Sequence, residues 1–181
     1  EIVDQIVYWN QLLSPAYIGR LVFMGMGEPF LNWDNLIEAL AIINSRHGLN
    51  IGQRKISIST AGVTHRIRDF ADLKSQVNLA ISLHSLDPVT RLDIMPVTKK
   101  YPLPELLDSA LYYVTTTRRQ LVFEYALIKG VNDSDQDLAQ LIRFIRSNYL
   151  YFLNLIPLNY IAGGLVPSPK SRLDYFVDVL T

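Results

Sequence analysis

The sequence predicts an α/β fold built on a parallel sheet, curled into a barrel or part of one. Three observations carry this expectation. Apolar stretches of helical and of strand period alternate along the 181 residues. Five strand-like stretches are separated by helix-like ones, which is the pattern of a parallel sheet. No Gly-x-Gly-x-x-Gly fingerprint is present to mark an open dinucleotide-binding sheet.

In chain order, residues 1–13 read as a helix with Ile2, Ile6 and Trp9 on one side, and residues 20–25 as a buried strand. Residues 33–46 place Leu36, Ile37, Leu40 and Ile43 on one helical stripe, with Asn32 as cap and Gly48 as stop. Strands are expected at 54–60 and 77–83, around a helix at 62–75. A loop-rich stretch leads to a helix near 104–116, carrying Leu106, Leu107, Ala110 and Val114 inward, and then to a strand at 119–127. Ser134 and Asp137 have the spacing of a capping box, with Asp in place of Glu or Gln. The helix they open runs through Ser147 with Leu138, Leu141, Ile142 and Ile145 inward; a strand at 151–156 and a helix at 168–181 end the chain.

Composition narrows the function classes. The chain is 49% apolar with zero formal net charge, so charge lends no support to a nucleic-acid surface. The length suits one domain over 1–181. There is no bilayer-spanning apolar run and no secretory signal, so a cytoplasmic, membrane-free protein is the expectation. The absence of cysteine excludes disulfides and thiolate metal sites within these residues, so no metal ligand is assigned. An N-terminal Glu running straight into a helix reads as a chain trimmed at its start.

The chemistry concentrates at strand ends. Side chains alternate along a strand, so Val77, Leu79, Ile81 and Leu83 share one face, and Asn78, Ala80, Ser82 and His84 the other. Ile56, Ile58 and Thr60 likewise oppose Lys55, Ser57 and Ser59, and Glu124 opposes Phe123 and Tyr125. The first strand runs into Gly25-Met-Gly-Glu-Pro29 and the last into Pro157-Leu-Asn159. Glu28, Ser59, Ser82, His84 and Asn159 thus fall near C-terminal strand ends, where barrels build active sites. Each has a structural alternative: Glu28 as a helix cap, the glycines as turn formers, Ser59 and His84 as satisfied core groups, and Asn159 as a turn residue. Their shared position favours a ligand, and a zwitterionic amino acid bearing a nucleoside fits the donors and acceptors.

The sequence also resembles the RlmN/Cfr-type radical S-adenosylmethionine (SAM) methyltransferases. Val22-Phe-Met-Gly-Met-Gly-Glu-Pro-Phe-Leu-Asn-Trp-Asp-Asn35 resembles their second-strand motif. Arg54-Lys-Ile-Ser-Ile-Ser-Thr60, Gln76-Val-Asn-Leu-Ala-Ile-Ser-Leu-His84, and Met95-Pro96 with Lys99-Lys-Tyr-Pro102 follow in order. Phe123-Glu-Tyr125 with Gly130-Val-Asn-Asp133, and Asn154-Leu-Ile-Pro-Leu-Asn159, complete the series. Glu1-Ile-Val-Asp-Gln5 is similar to the segment after the family's cluster loop.

The resemblance implies a partial (βα)6 TIM-like barrel of the radical SAM type, truncated at both ends. Gly27 and Glu28 match the motif that holds the SAM amino group, and Ser59, Ser82, Leu83, His84 and Asn159 match the other SAM-contacting positions. It implies SAM as cofactor, a [4Fe–4S] cluster in the full-length protein only, and an external electron donor. The implied substrates are 23S rRNA, methylated at C2 of an adenine, and tRNA. Such a carbon is too electron-poor for simple polar transfer; the family uses a methylated protein cysteine and a SAM-derived radical. The three cluster cysteines belong before Glu1 and the methyl-carrying one beyond Thr181, so the chain is expected to be an incomplete, inactive fragment with no catalytic residue of its own. Tyr160 stands where the family usually has Pro. A C8-directed subgroup conferring antibiotic resistance and a non-catalytic SAM-binding remnant are the alternatives. The pairs Arg54/Lys55, Lys99/Lys100 and Arg118/Arg119 read as solvated surface rather than as RNA contacts.

Overall fold

A computed structural model describes residues 1–159 and 164–180. Strands β1 (Leu21–Phe23), β2 (Ile56–Thr60), β3 (Asn78–Ser82), β4 (Leu121–Leu127) and β5 (Tyr151–Pro157) form one sheet, every neighbouring pair parallel, in the order β1-β2-β3-β4-β5. The helices are α1 (Ile2–Leu13), α2 (Trp33–Asn44), α3 (Thr64–Asp72), α4 (Pro88–Ile94), α5 (Leu103–Thr117), α6 (Asp135–Arg146) and α7 (Lys170–Leu180). Sequential strand order with right-handed crossovers places the connecting helices on one face of the sheet, as in a barrel wall.

The two faces differ in the way period-two alternation requires. Ile56, Ile58, Leu79, Ile81, Leu121, Phe123, Tyr125 and Leu127 are buried against the helices. Their aromatic neighbours lock the layer: Phe123, Phe144 and Tyr151 stack within 4.9 to 5.1 Å between ring centroids. The concave face carries Val22, Ser57, Ser59, Asn78, Ala80, Ser82, Val122, Glu124, Phe152 and Asn154, set side by side by the register. Val22 and Phe152 stay 65% and 44% exposed on it, so this face lacks the cover that the other has.

The expected helices and strands are present; most ends are trimmed by one to three residues, while α5 gains one residue at each end and β5 one at its C-terminal end. Residues 53–55 form a 3-10 turn rather than the start of β2. The Ser134 capping box is complete, since the Ser134 hydroxyl accepts from the Asp137 amide and the Asp137 carboxylate accepts from the Ser134 amide. Asn32 does sit at the N-cap of α2, but its side chain accepts from the Asn35 amide group instead of the helix backbone. On α1 only Ile6 is buried; Trp9 is 54% exposed, so the expected Ile2–Ile6–Trp9 stripe does not pack as a unit. The stretch taken for loop between β3 and α5 contains α4, started by Asp87, whose carboxylate accepts from the Thr90 amide, and by Pro88 at the first turn.

Candidate functional site

A cleft of about 790 Å³ opens at the C-terminal ends of β1–β4 and is lined by the β1–α2 loop, the β2 and β3 ends, Glu124, and Ile2, Gln5 and Ile6 of α1. Its volume falls in the usual range for a small-molecule pocket, roughly 300–1,000 Å³.

One wall is the Met24–Glu28 loop. Gly25 and Gly27 adopt φ of +117° and +98°, a region costly for any residue with a Cβ, and added Cβ atoms there would meet only open space. The backbone is thus bare toward the cleft, and Met26 is fully exposed at its lip. The far end of the loop is anchored by Phe30, which is buried against Trp33 and Phe70 at 5.5 and 5.6 Å. Glu28 closes the anchor. Its carboxylate accepts from the Phe30 amide at 2.9 Å, the Thr60 hydroxyl at 2.9 Å and the Ala61 amide at 2.6 Å. It caps the 3-10 turn Pro29–Asn32 and latches the β1 loop to the end of β2.

The floor is a second carboxylate. Glu124 is only 5% exposed, and one of its oxygens, Oε2, accepts from both the Ser59 hydroxyl at 2.6 Å and the Ser82 hydroxyl at 3.3 Å. No Lys, Arg or His forms an ion pair with it among the described residues.

Beneath the strand ends lies a cation that sequence patterning did not reveal. Arg91 is 0% exposed and is held without any carboxylate. Its guanidinium donates to the carbonyls of Leu83 (3.0 Å), Ala61 (2.9 Å) and Ser82 (3.1 Å) and to the Thr98 hydroxyl (2.6 Å). Burial pulls its pKa down to about 10. It clamps the ends of β2 and β3 in their relative positions. Asn132, also 0% exposed, does the same for β3 and β4: its amide group donates to the carbonyls of His84 (2.6 Å) and Ala126 (2.8 Å), while its Oδ1 accepts from the Ile128 amide (2.7 Å).

Of the residues singled out in the sequence, Gly27, Glu28, Ser59 and Ser82 come together on the cleft. Leu83, His84 and Asn159 are not among its lining. Leu83 is buried on the helix-facing side, with its amide bonded to the Glu124 carbonyl at 2.9 Å. His84 leaves the strand geometry with φ of +55°, and its Nδ1 accepts from the Ala126 amide at 3.0 Å. That bond leaves the proton on Nε2. Burial and then the nearby Arg91 charge lower its pKa to about 4, so the ring is neutral near pH 7. Asn159 is exposed, two residues past β5, and Tyr160 lies outside the described residues. Glu124, Arg91 and Asn132 complete the site. The signal for Glu124 was a charge inside an otherwise apolar strand; Arg91 had none, because its helix is too short to show a period.

The paired basic residues are structural in part. Arg54 and Arg119 both donate to Gln76, and Arg119 also reaches Asn78, at the N-terminal edge of the sheet, away from the cleft.

A parallel wall of βα units with its polar cleft at the C-terminal strand ends defines a barrel-type cofactor-binding protein. Residues 1–142 match the Radical SAM superfamily, and the chain belongs to it. The chain is 45% identical over 161 residues to a probable dual-specificity RNA methyltransferase RlmN of Thermoanaerobacter sp. (strain X514), covering 89% of this chain and 46% of the relative. It is 47% identical over 172 residues to the protein of that name from Clostridium novyi (strain NT), covering 95% and 50%. The crystal structure of a radical SAM methyltransferase from Sphaerobacter thermophilus superposes with a TM-score of 0.93 at 36% identity, over 99% of this chain and 53% of that one. A domain of the pyruvate-formate lyase-activating enzyme from Bacteroides vulgatus shares the fold alone, with a TM-score of 0.67 at 18% identity. The chain spans about half the length of the curated relatives it matches.

Membership implies SAM and a [4Fe–4S] cluster as cofactors of the family. The residues present fit the first: an open glycine backbone, two carboxylates and two hydroxyls surround a cleft of nucleoside size. They do not fit the second, which needs thiolates that these 181 residues lack. No helix among the described residues is long and apolar enough to cross a membrane.

Proposed function

We propose that this chain forms the SAM-holding part of a radical SAM RNA methyltransferase directed at C2 of an adenine in 23S rRNA and in tRNA, working in the cytoplasm. The observation that supports it most is the cleft itself: Gly27, Glu28, Ser59 and Ser82 surround it at the strand ends. The overlap with a radical SAM methyltransferase (TM-score 0.93) supports the same reading. The relatives named as RNA methyltransferases, at 41–47% identity, supply the substrate class. When bound, SAM supplies the methyl group and, with the cluster and an external electron donor, the radical.

The residues here bind and orient. The Gly25–Gly27 backbone lets a ligand approach closely, and Glu28 fixes that backbone through three hydrogen bonds. The SAM contacts that the resemblance implies for Leu83, His84 and Asn159 lie outside the lining of this cleft. Without thiolates the 181 residues alone are inactive.

The test is mass spectrometry of adenosines in rRNA and tRNA from a strain lacking its own adenine-C2 methylase, with and without the gene that encodes this chain. The account expects 2-methyladenosine in both RNAs. A product at C8 assigns the protein to the other regiochemistry, and unmodified RNA from a strain that makes the protein overturns the reading.

A further inference from the structure

Glu124 is the feature that the site residues carried over from the family do not include. It is the one carboxylate projecting from the concave face of the five strands, and it is 5% exposed. A buried carboxylate is costly unless hydrogen-bonded or paired, and a lone charge costs several kcal/mol or more. Here its Oε2 is satisfied twice, by Ser59 and Ser82, while Oε1 has no hydrogen-bond donor among the described residues. Oε1 is not among the fully buried atoms lacking a partner, and the residue lines the cleft.

The direction of these bonds matters as much as their presence. Both serine hydroxyls donate to the same carboxylate oxygen, which accepts. A hydroxyl has one proton. Ser59 and Ser82 have therefore committed theirs to Glu124 and show the cleft lone pairs alone. The floor is an acceptor cluster: one carboxylate oxygen and two hydroxyl oxygens, with no donor. It repels a carboxylate and suits a group rich in N–H or O–H. Glu28, the other carboxylate of the cleft, already accepts three hydrogen bonds, two of them from backbone amides. The uncommitted carboxylate oxygen of the site is on Glu124.

We propose that Ser59, Ser82 and Glu124 form a single acceptor platform. Glu124 binds a donor-bearing part of SAM directly, its ribose diol or its ammonium, and turns both serine hydroxyls toward the ligand as acceptors. The proposal rests on the SAM reading above. It assigns the two serines a role opposite to donating to the SAM carboxylate.

The test is calorimetric titration of the purified protein, and of its Glu124→Gln, Ser59→Ala and Ser82→Ala variants. The probes are S-adenosylhomocysteine and methylthioadenosine, which lacks the amino-acid end. Thermal unfolding of each variant is followed alongside. Glu124→Gln is expected to weaken S-adenosylhomocysteine at least tenfold while unfolding cooperatively. Parallel weakening of methylthioadenosine places the contact at the ribose; loss confined to S-adenosylhomocysteine places it at the ammonium. Wild-type affinity of folded Glu124→Gln for both probes overturns the proposal and leaves the SAM reading standing. So does a serine variant that loses S-adenosylhomocysteine alone while Glu124→Gln loses nothing. If Glu124→Gln does not fold, Ser82→Ala decides: weakened binding supports the platform, and unchanged binding overturns it. A wild-type protein that binds neither probe removes the SAM reading and the platform together.

Discussion

Replacing Glu28 with Ala separates two roles that one residue combines. Its carboxylate accepts three hydrogen bonds, from the Phe30 and Ala61 amides and the Thr60 hydroxyl. Thr60 can turn its proton elsewhere, and its oxygen still accepts from the Gly62 amide. The two amides cannot move, since each is fixed by the turn it belongs to. A hydrogen bond to a charged acceptor contributes about 1.5–3 kcal/mol net, and the low end applies because water reaches this half-buried loop. The loss is then about 3 kcal/mol. For a chain of this size each kcal/mol moves the midpoint by about 2–4 °C, so Glu28→Ala should lower Tm by roughly 6–12 °C. Glu28→Gln keeps one acceptor oxygen and should lose about half of that. Circular dichroism melting at neutral pH is the assay. A Tm within about 2 °C of wild type for the Ala variant would refute the latch.

Three further outcomes follow from the same geometry. Gly62→Ala should cost about 2 kcal/mol or more, because φ is +113° and a Cβ would sit 2.9 Å from Leu106; Gly25→Ala, strained in φ but in open space, should cost about 1 kcal/mol. Urea unfolding of the pair reads the difference. Arg91→Lys should destabilise by about 2–4 kcal/mol in the same assay, because an ammonium cannot reach the three carbonyls and one hydroxyl that the planar guanidinium spans. His84 predicts a pH dependence. Burial holds the folded imidazole neutral to about pH 4, whereas the unfolded ring protonates near its ordinary value of 6.5. Its contribution is therefore complete above pH 6.5, falls as pH drops toward 4 and then levels. The ceiling is about 3 kcal/mol at about 1.4 kcal/mol per pKa unit. Urea titrations between pH 7 and 4 should show a shallower slope for His84→Gln than for wild type, and equal slopes would contradict the assignment.

The sequence was most legible where one physical signal dominated. Alternation exposed β2 and β3, because Ile56-Ser57-Ile58-Ser59 and Leu79-Ala80-Ile81-Ser82 write the two faces of the wall directly. The capping box at Ser134 was readable for the same reason, since its chemistry is local. Legibility failed where the determinant is tertiary. Seven residues of α4 are too few for a helical period, and Arg91 within it is defined only by three carbonyls and a hydroxyl 7–30 residues away. His84 looked like the next member of the Ser82 face, but a left-handed backbone and a bond to Ala126 turn its ring aside. Ser59 and Ser82 were visible as polar strand-end residues; that both give their protons to Glu124 depends on a register across three strands.

The most direct test of the central claim is a crystal structure of the protein with S-adenosylhomocysteine. The account predicts the nucleoside in the cleft between the Gly25–Gly27 backbone and the Ser59–Ser82–Glu124 floor, with an N–H or O–H of the ligand against Glu124. Ligand density elsewhere, or its carboxylate seated on that floor, would contradict it.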